Sequence, residues 1–236
     1  MLRLACNTVN LSIILPCYNE EQNIAASVQD VHEWMKKKNI EGEIIVVNDG
    51  STDGTADVLQ SLVQTYDNLC IVSHHPNKGY GAAVRAGCDR ARSDIVAFMD
   101  SDGQFRAEDF DRLLPHLERF AFVTGRRRRR ADPFMRKLNA KLFGLLTWVV
   151  LGVWVRDVNC AMKIFRRDIW QRIRPVHATG ALVNAEMFLN LKKNGIAWHQ
   201  VDVPHYPRKF GAQTGANLSV ILKMFRELLT LAGAKL

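Results

Sequence analysis

Two aspartates separated by one residue mark the place in this 236-residue sequence where chemistry is first expected. Asp100 and Asp102 follow the apolar run "VAFM" at 96–99, and Gly103 comes directly after them. A short apolar run bounded by polar residues and glycine is typical of a buried strand, from which charge is expelled. Both carboxylates are therefore predicted to lie where this strand ends.

Two carboxylates at positions i and i+2 can face one hard divalent cation. Mg²⁺ and Mn²⁺ prefer oxygen ligands and often share them between the protein and substrate phosphates. An aspartate pair alone is a weak signal, because aspartates are common in turns, where their side chains bond to the backbone. Here Asp49 follows an earlier apolar run, and Glu20 lies shortly after the first one. These acidic residues favour a site for a cation and a diphosphate.

Apolar residues alternate along the chain between the period of a strand and that of a helix. The strand-like runs are 11–15, 43–48, 69–73, 95–99 and 120–124. Helical spacing predicts helices over 24–35, 58–66, 82–91 and 110–117. This alternation predicts an α/β fold with a mostly parallel sheet covered on both faces. Ligands of such sheets bind beyond the carboxyl ends of the strands, which is where the acidic residues lie.

The net charge of +8 conceals a division between the two halves of the chain. Residues 1–120 contain 11 Lys and Arg against 18 Asp and Glu, a balance of −7; residues 121–236 contain 21 against 6, a balance of +15. The first half suits a cation, and the second suits nucleic acid, an anionic membrane or phosphates. Nucleic acid is not predicted, because the basic residues are interleaved with a long apolar segment and not with exposed aromatic residues.

Other features argue against several classes of protein. The five cysteines are odd in number and form no CxxC pair, so neither a disulfide framework nor a zinc site is predicted. The N-terminal apolar run is too short for a secretory signal, and we predict no export. The segment "GYGAAV" at 79–84 imitates a dinucleotide fingerprint, but Val84 stands at the third glycine position and no strand directly precedes the segment.

Three motifs in the first half resemble the family 2 glycosyltransferases of GT-A fold. They are "LPCYNEE" at 15–21, "VNDGSTDGT" at 47–55 and "DSDGQ" at 100–104. One departure is Asn48, which stands where that family frequently has an acidic residue. The resemblance implies a GT-A, Rossmann-like sheet flanked by helices, with a single domain over 1–236.

Motifs in the second half resemble one branch of this family, the dolichyl- or polyprenyl-phosphate mannose and glucose synthase-like enzymes. They are "VTGRR" at 123–127, "VRDVNCAMKIFRRD" at 155–168 and "VPHYPRKFG" at 203–211, although "CAMK" replaces a usual Gly-Phe pair and "GAQTG" a Gly-x-Ser. The resemblance implies that 1–125 binds the nucleotide and metal and that 126–236 faces the acceptor and the membrane.

The resemblance also implies roles for individual residues. Around the nucleotide sugar it implies Pro16, Tyr18, Glu20, Asp49, Asp100, Ser101, Asp102 and Arg208. Around Mg²⁺ or Mn²⁺ it implies Asp100, Asp102 and Gln104, and at the acceptor phosphate Arg126, Arg136 and Lys163. Asp100, Asp102 and Arg126 would be the catalytic residues.

The stretch 142–155 contains 14 uncharged residues between Lys141 and Arg156. As a helix it would be about 21 Å long, which is shorter than the ~30 Å hydrocarbon core of a bilayer. It is either a buried core helix or, because of Trp148, Trp154 and its charged flanks, an amphipathic helix in the membrane interface. The segment 218–231 predicts a second amphipathic helix.

The sequence therefore predicts an inverting, metal-dependent glycosyltransferase at the cytoplasmic face of an anionic membrane, acting alone or with a separate membrane subunit. It would move mannose or glucose from GDP-mannose or UDP-glucose to polyprenyl or dolichyl phosphate. No Glu-Asp base motif or Q-x-x-R-W is present. Asp157 and Glu186 stay open as bases, but a structural salt bridge is the predicted role of each. Two alternatives stay open: a hydroxyl acceptor in cell-envelope glycan synthesis, and a non-catalytic protein that binds nucleotide sugars.

Overall fold

The structure is a computed structural model that describes residues 10–128, 134–180, 182–208, 210–211, Leu228 and Gly233; for 134–142 it describes the backbone only. The strands are β1 Asn10–Cys17, β2 Glu41–Asn48, β3 Leu69–Ser73, β4 Ile95–Phe98, β5 Phe122–Arg127, β6 Lys163–Arg166 and β7 Trp198–Val203. The α-helices are α1 Ile24–Lys37, α2 Thr55–Val63, α3 Tyr80–Arg90, α4 Phe134–Leu151, α5 Trp170–Ile173 and α6 Val183–Lys193. Most of the predicted strands and helices are therefore confirmed, with boundaries shifted by a few residues.

The seven strands form one sheet in the order β3-β2-β1-β4-β6-β5-β7. All neighbouring pairs are parallel except those of β6, which runs antiparallel to both β4 and β5. The predicted mostly parallel sheet is confirmed. Because β1, β2, β4, β5 and β7 run the same way, their carboxyl ends share one rim of the sheet.

Helices cover both faces of the sheet, as the apolar strands require. One core contains residues of α3, α4 and α6, and the other contains residues of α1 and of two 3₁₀ helices, Ala107–Arg112 and Leu114–Glu118. On the first face α3 lies unusually close to β1. A Cβ atom at Gly87 would lie 2.3 Å from Ile14 Cγ2, so this contact requires glycine.

Two predicted helices differ from the structure. The α-helix expected over 110–117 is replaced by the two 3₁₀ helices, the second of which has Pro115 in its first turn, where proline has no amide hydrogen to donate. The helix expected over 142–155 ends at Leu151. Gly152 adopts a left-handed φ of 65°, and the chain then returns Val153 and Val155 to the core.

The helix α4 has one buried and one exposed apolar face, so it is neither a fully buried core helix nor a helix exposed along its whole apolar surface. Thr147 and Leu151 are buried, whereas Leu145, Trp148 and Val149 are exposed. The exposed Trp154 packs against Trp148 edge to face, with ring centroids 5.5 Å apart. Among the described residues, no helix is long and apolar enough to cross a membrane. The predicted helix over 218–231 lies outside the described residues except for the buried Leu228.

Two helical glycines provide a matched test of this packing. Replacing Gly87 with alanine should lower the free energy of unfolding by about 1–3 kcal/mol, because the added methyl group overlaps Ile14. Replacing Gly144 with alanine should raise it by about 0.5–1 kcal/mol, because the nearest atom outside the helix backbone, Val155 O, would lie 4.0 Å from the added methyl group and alanine favours helix. Urea denaturation of both variants would measure this, and equal effects would contradict the close packing of α3 on β1.

Candidate active site

The carboxyl ends of β1, β2 and β4 bring the predicted acidic residues to one rim. The Asp49 amide donates to Cys17 O at 2.9 Å, and the Met99 amide donates to Ile14 O at 3.2 Å. The segments that follow β2 and β4 therefore both leave the sheet beside β1. The predicted common rim for Glu20, Asp49 and Asp100 is thus present in the structure. Charged groups at this rim can meet a ligand without entering the core.

Asp100 and Asp102 form the centre of the site. Asp102 accepts hydrogen bonds from the Gln104 amide at 3.0 Å and from Arg208 at 3.3 Å. The pKa of Asp100 lies well above its usual range, because its carboxyl is buried and, second, because the negative charge of Asp102 is close. The pair therefore holds more negative charge than its surroundings compensate, which is the condition that favours a bound cation.

The donor chemistry of this pair fits Mg²⁺ or Mn²⁺. Carboxylate oxygens are the ligands that these hard cations prefer. The side-chain nitrogen of Gln104, Nε2, donates to Tyr206 O at 3.2 Å. The side-chain oxygen of Gln104 is then the atom that can act as a ligand. Asp100, Asp102 and Gln104 are thus the residues that would hold the metal. No cluster of three or more His, Cys, Asp or Glu suited to a metal ion occurs among the described residues.

Arg208 connects the acidic groups of two different loops. Its guanidinium bonds to Glu20 as well as to Asp102, and both ion pairs are largely buried. Burial of the carboxyl raises the pKa of Glu20, and the bonds to Asn23 and Arg208 partly offset this rise. The structure therefore places Arg208 at the site, beside two of the predicted nucleotide-sugar residues.

The loops that follow β1 and β2 are joined by hydrogen bonds. The Asn19 amide donates to Ser51 Oγ at 3.0 Å, and Asn19 Oδ1 accepts from the Thr52 amide at 2.8 Å. The Glu20 amide donates to Thr55 Oγ1 at 3.0 Å. These bonds fix the loop that carries Tyr18, whose side chain is exposed at the rim.

Two other predicted nucleotide residues are part of the loop framework. Ser101 is buried, and its hydroxyl donates to Pro16 O at 2.9 Å. The carbonyl oxygen of Ser101 accepts from Ser27 Oγ at 2.8 Å. Ser101 and the Pro16 carbonyl thus hold the β4 exit against the β1 exit and against α1. Their position explains how Asp100 and Asp102 stay beside Glu20.

Asp49, which is predicted to lie around the nucleotide sugar, is bound to protein groups in the structure, and its contact with a nucleotide stays a prediction. Its carboxylate accepts from His74 Nδ1 at 2.6 Å, from the Lys78 amide at 3.0 Å and from the Gly79 amide at 2.7 Å. Asp49 and His74 are both buried. The carboxylate therefore fastens the segment before α3 to the end of β2.

The N-terminus of α3 is also fastened from the second half of the chain. Thr179 O accepts from the Gly81 amide at 2.8 Å and from the Ala82 amide at 3.4 Å. A Cβ atom at Gly79 would lie 2.5 Å from Thr179 O, so glycine is required at this approach. The first amides of α3 are therefore taken by protein groups, which agrees with the rejection of a dinucleotide fingerprint here.

Tyr80 lies between these two attachments. Its hydroxyl is buried and makes no hydrogen bond of ordinary geometry, but it faces Asp100 closely enough to affect the carboxylate, and burial raises the pKa of the phenol. The glycines on either side of Tyr80 let the backbone approach Thr179 and Gly180. Tyr80 thus lies between Asp100 of the first half and the Thr179–Gly180 backbone of the second.

Adjacent arginines of β5 point to different places. Arg127 makes a two-pronged ion pair with Asp157, at 2.8 Å and 2.7 Å, and its charge lowers the pKa of Asp100. Arg126 instead pairs with Asp202 of β7 at 2.5 Å. Since successive strand residues face opposite sides, only one of the two can face the site. The contacts favour Arg127, whereas the sequence predicted Arg126. The predicted structural salt bridge of Asp157 is confirmed.

The other predicted acceptor residues differ in position. Lys163 is completely buried, and its ammonium donates to the carbonyl oxygens of Val158 and Cys160, so it does not present its charge to an acceptor phosphate. Burial lowers the pKa of Lys163 to about 8. It supports the Asp157 loop from beneath. Arg136 lies in α4, but its side chain is outside the described residues.

Glu186 is structural, but not through the predicted salt bridge. Its buried carboxylate accepts from the backbone amides of Val176, His177 and Ala178 at 2.7–3.2 Å. The next residue along that loop is Thr179, whose carbonyl oxygen caps α3. Glu186 therefore holds the loop that fastens the second half to α3.

Sequence reasoning missed Arg127, Tyr80 and His74 as parts of this site. The alternation of strand residues across "VTGRR" was a signal that only one arginine could face the site. The paired glycines around Tyr80 indicated a close approach of backbone. No local signal connected His74 with Asp49, because 25 residues separate them.

Comparison with known proteins identifies the family. The profile of "Glycosyl transferase family 2" matches residues 12–174. A dolichyl-phosphate beta-glucosyltransferase, ALG5D, of Trichomonas vaginalis is 33% identical over 177 residues, which cover 68% of this chain and 54% of that protein. An undecaprenyl-phosphate 4-deoxy-4-formamido-L-arabinose transferase of Pseudomonas fluorescens is 31% identical over 220 residues, covering 91% and 63%. The chain thus spans roughly half to two thirds of the length of these relatives.

Solved structures share the fold. Glucosyl-3-phosphoglycerate synthase of Mycobacterium tuberculosis, in complex with Mn²⁺, UDP-glucose and phosphoglyceric acid, aligns with a TM-score of 0.74 at 19% identity, covering 95% of this chain and 80% of that one. Mannosyl-3-phosphoglycerate synthase of Rubrobacter xylanophilus aligns with a TM-score of 0.71 at 24% identity, covering 96% and 73%. The chain therefore belongs to glycosyl transferase family 2 and has the GT-A fold.

Proposed function

We propose that this protein is an inverting, metal-dependent hexosyltransferase whose acceptor is polyprenyl or dolichyl phosphate. Its donor would be a nucleotide sugar such as UDP-glucose or GDP-mannose. The observation that carries the proposal is the combination at one rim of the Asp100/Asp102 pair with the Arg127 guanidinium. The relatives whose names specify dolichyl or undecaprenyl phosphate support the acceptor class.

The chemistry requires a site that accepts growing negative charge. The acceptor oxygen forms a bond to the anomeric carbon while the bond from that carbon to the diphosphate breaks, and the electron pair leaves with the nucleoside diphosphate. A bound divalent cation would neutralise that charge. Asp100 and Asp102 would hold that cation, and attack from the opposite face would invert the anomeric centre. Fixed charges are effective here because they need no reorganisation during the reaction.

A phosphate acceptor removes the need for a general base. A lipid monophosphate is already mostly ionised at neutral pH, since the second pKa of a phosphate monoester is about 6. The carboxylates predicted as structural are both engaged: Asp157 with Arg127, and Glu186 with three backbone amides. Because protein groups already occupy both carboxylates, neither is positioned to accept a proton from the acceptor. Arg127 suits the phosphate because its planar fork can meet two oxygens, and Asp157 fixes the plane of that fork.

The exposed face of α4 supports a contact with the membrane surface, where such an acceptor resides. Leu145, Trp148 and Val149 of α4 and the neighbouring Trp154 form this surface, which we call the α4 patch; Trp154 is 62% exposed and Val149 68%. Exposed tryptophans and aliphatic residues beside basic segments are typical of interfacial helices. A position at the cytoplasmic face of the membrane is part of the proposal.

The metal test follows from the Asp100/Asp102 pair. Transfer of radiolabelled hexose to polyprenyl phosphate should require Mg²⁺ or Mn²⁺ and stop in EDTA. Asp102→Asn should lower transfer at least about 100-fold, because a hard cation binds a neutral amide weakly. It should change the melting temperature little, because loss of the ion pair with Arg208 is offset by relief of the repulsion of Asp100. Calorimetric titration of Mn²⁺ should show the same loss of binding. Full activity in EDTA would contradict the proposal.

The acceptor test compares the two adjacent arginines. Arg127→Lys should reduce transfer to polyprenyl phosphate by about 10- to 100-fold, because losing a two-pronged phosphate contact costs about 1.5–3 kcal/mol. Arg126→Lys is the matched control. With the acceptor in detergent micelles, where no bilayer orients the protein, it should change transfer less than about threefold, because its partner is Asp202. Binding of the nucleotide sugar should be similar in both variants.

Free polyprenol and Glu186→Gln complete the acceptor test. Free polyprenol should be a poor substrate, and Glu186→Gln should lose stability through its loop contacts while retaining measurable transfer. Efficient transfer to the free alcohol would show that a base is at work. Complete loss of transfer in a folded Glu186→Gln protein would show the same.

The membrane test uses the α4 patch. Replacing Trp148 and Trp154 together with lysine should release the protein from phosphatidylcholine–phosphatidylglycerol vesicles in a sedimentation assay at high salt, where apolar burial remains and charge is screened. Exposed positions should tolerate the change, so circular dichroism should be unaltered. Unchanged sedimentation of the folded double variant would remove the α4 patch from the proposal.

A further inference from the structure

A polar cavity lies at the β7 edge of the sheet, beyond the residues assigned to the reaction. It has a volume of about 480 Å³ and is lined by Arg126, Arg156, Trp198, His199, Gln200 and Asp202. We call it the β7 groove. Among the described strands β7 pairs only with β5, and the side chains of Arg126 and Asp202 in the groove are each about one-third exposed.

The charges of the β7 groove are unbalanced. Asp202 pairs with Arg126, and the bond to Arg126, followed by the charges of Arg128 and Arg156, lowers the pKa of Asp202. The groove is therefore lined by the guanidinium groups of Arg126 and Arg156 against the one carboxylate of Asp202, and the charge of Arg128 adds to this excess. The pair of Arg126 and Asp202 is about one-third exposed on each side, so water and ions reach it. A surplus of arginine in an open groove is suited to phosphate, which accepts two hydrogen bonds from one guanidinium.

The groove adjoins the α4 patch. The Arg156 amide donates to Gln200 Oε1 at 3.1 Å, which ties the residue two positions after Trp154 to the edge strand. The side chains of Trp198 and Phe122 pack in the same core as Leu151 of α4, so β5 and β7 present this face of the sheet to α4. Exposed tryptophan and clustered arginine thus stand side by side, as apolar and headgroup-level contacts do at a bilayer surface.

We propose that the β7 groove binds the phosphate of an anionic lipid headgroup and so orients the protein on the membrane. This inference rests on the membrane contact in the proposed function. The ligand is a headgroup phosphodiester, held by Arg126 and Arg156, with Asp202 as a competing anion inside the protein. Asp202 limits the affinity of the groove, because a phosphate must share Arg126 with it.

The competition by Asp202 gives a gain-of-binding test. Binding to vesicles of phosphatidylcholine with 30% phosphatidylglycerol, at a fixed ionic strength of roughly 0.1 M, would be measured by sedimentation. Asp202→Asn should strengthen binding by about fivefold, and Arg156→Gln should weaken it by about fivefold. Circular dichroism and nucleotide-sugar binding would establish that each variant is folded.

Matched controls separate the groove from net charge. Asp67→Asn and Arg90→Gln make the same changes of charge at exposed positions near the opposite end of the sheet, before β3 and at the end of α3, and should alter vesicle binding less than about 1.5-fold. Equal effects of Arg156→Gln and Arg90→Gln would overturn the proposal. Because the assay measures binding without turnover, its failure is independent of the catalytic function.

Competition with inorganic phosphate distinguishes a lipid headgroup from free phosphate as the ligand of the groove. Added at up to 10 mM with ionic strength held constant, it should not displace the wild-type protein from vesicles. Displacement that disappears in Arg156→Gln would show that the groove takes free phosphate, and the lipid headgroup would then be the wrong ligand.

Discussion

Like charge at the end of a buried strand is the constraint on which the rest of this site depends. Burial of the carboxyl, and then the negative charge of Asp102, raise the pKa of Asp100, so the two carboxylates repel each other at a rim where solvation is weak. The surrounding framework holds them together in spite of it. Ser101, bonded to Pro16 and Ser27, keeps the pair in place from below, and Arg208 supplies the nearest opposite charge. A cation and a diphosphate would meet an arrangement that already exists.

The two halves of the chain, one acidic and one basic, meet at the N-terminus of α3. Asp49 fastens it from the first half, and Thr179, on the loop that Glu186 holds, fastens it from the second. The carboxylates of Asp49 and Glu186 both accept backbone amides, and each holds one of the two segments that contact the N-terminus of α3. The two halves are thereby joined through α3, and Tyr80 lies at this junction.

Much of the fold was predictable because periodicity records burial directly. The strands and the shared rim follow from apolar runs and from the position of the residues after them, and Asp100, Asp102 and Arg208 are where the motifs predicted. The partners of the charged residues were less predictable. The roles of Arg126, Lys163 and Asp49 came from the family resemblance and that of Glu186 from its residue type, but a charged side chain takes whichever partner tertiary structure brings near it. Asp202, His74 and the amides of 176–178 are distant in sequence, so no local pattern indicated them.

The position of Arg208 between Glu20 and Asp102 has a consequence for turnover. In the proposed reaction, a metal–nucleotide complex that approaches Asp102 would compete with this guanidinium, which would lower the affinity of the site for the complex. The same competition would act after transfer. Renewed pairing of Arg208 with Asp102 would favour release of the nucleoside diphosphate, so weaker binding of the donor would be matched by easier release of the product.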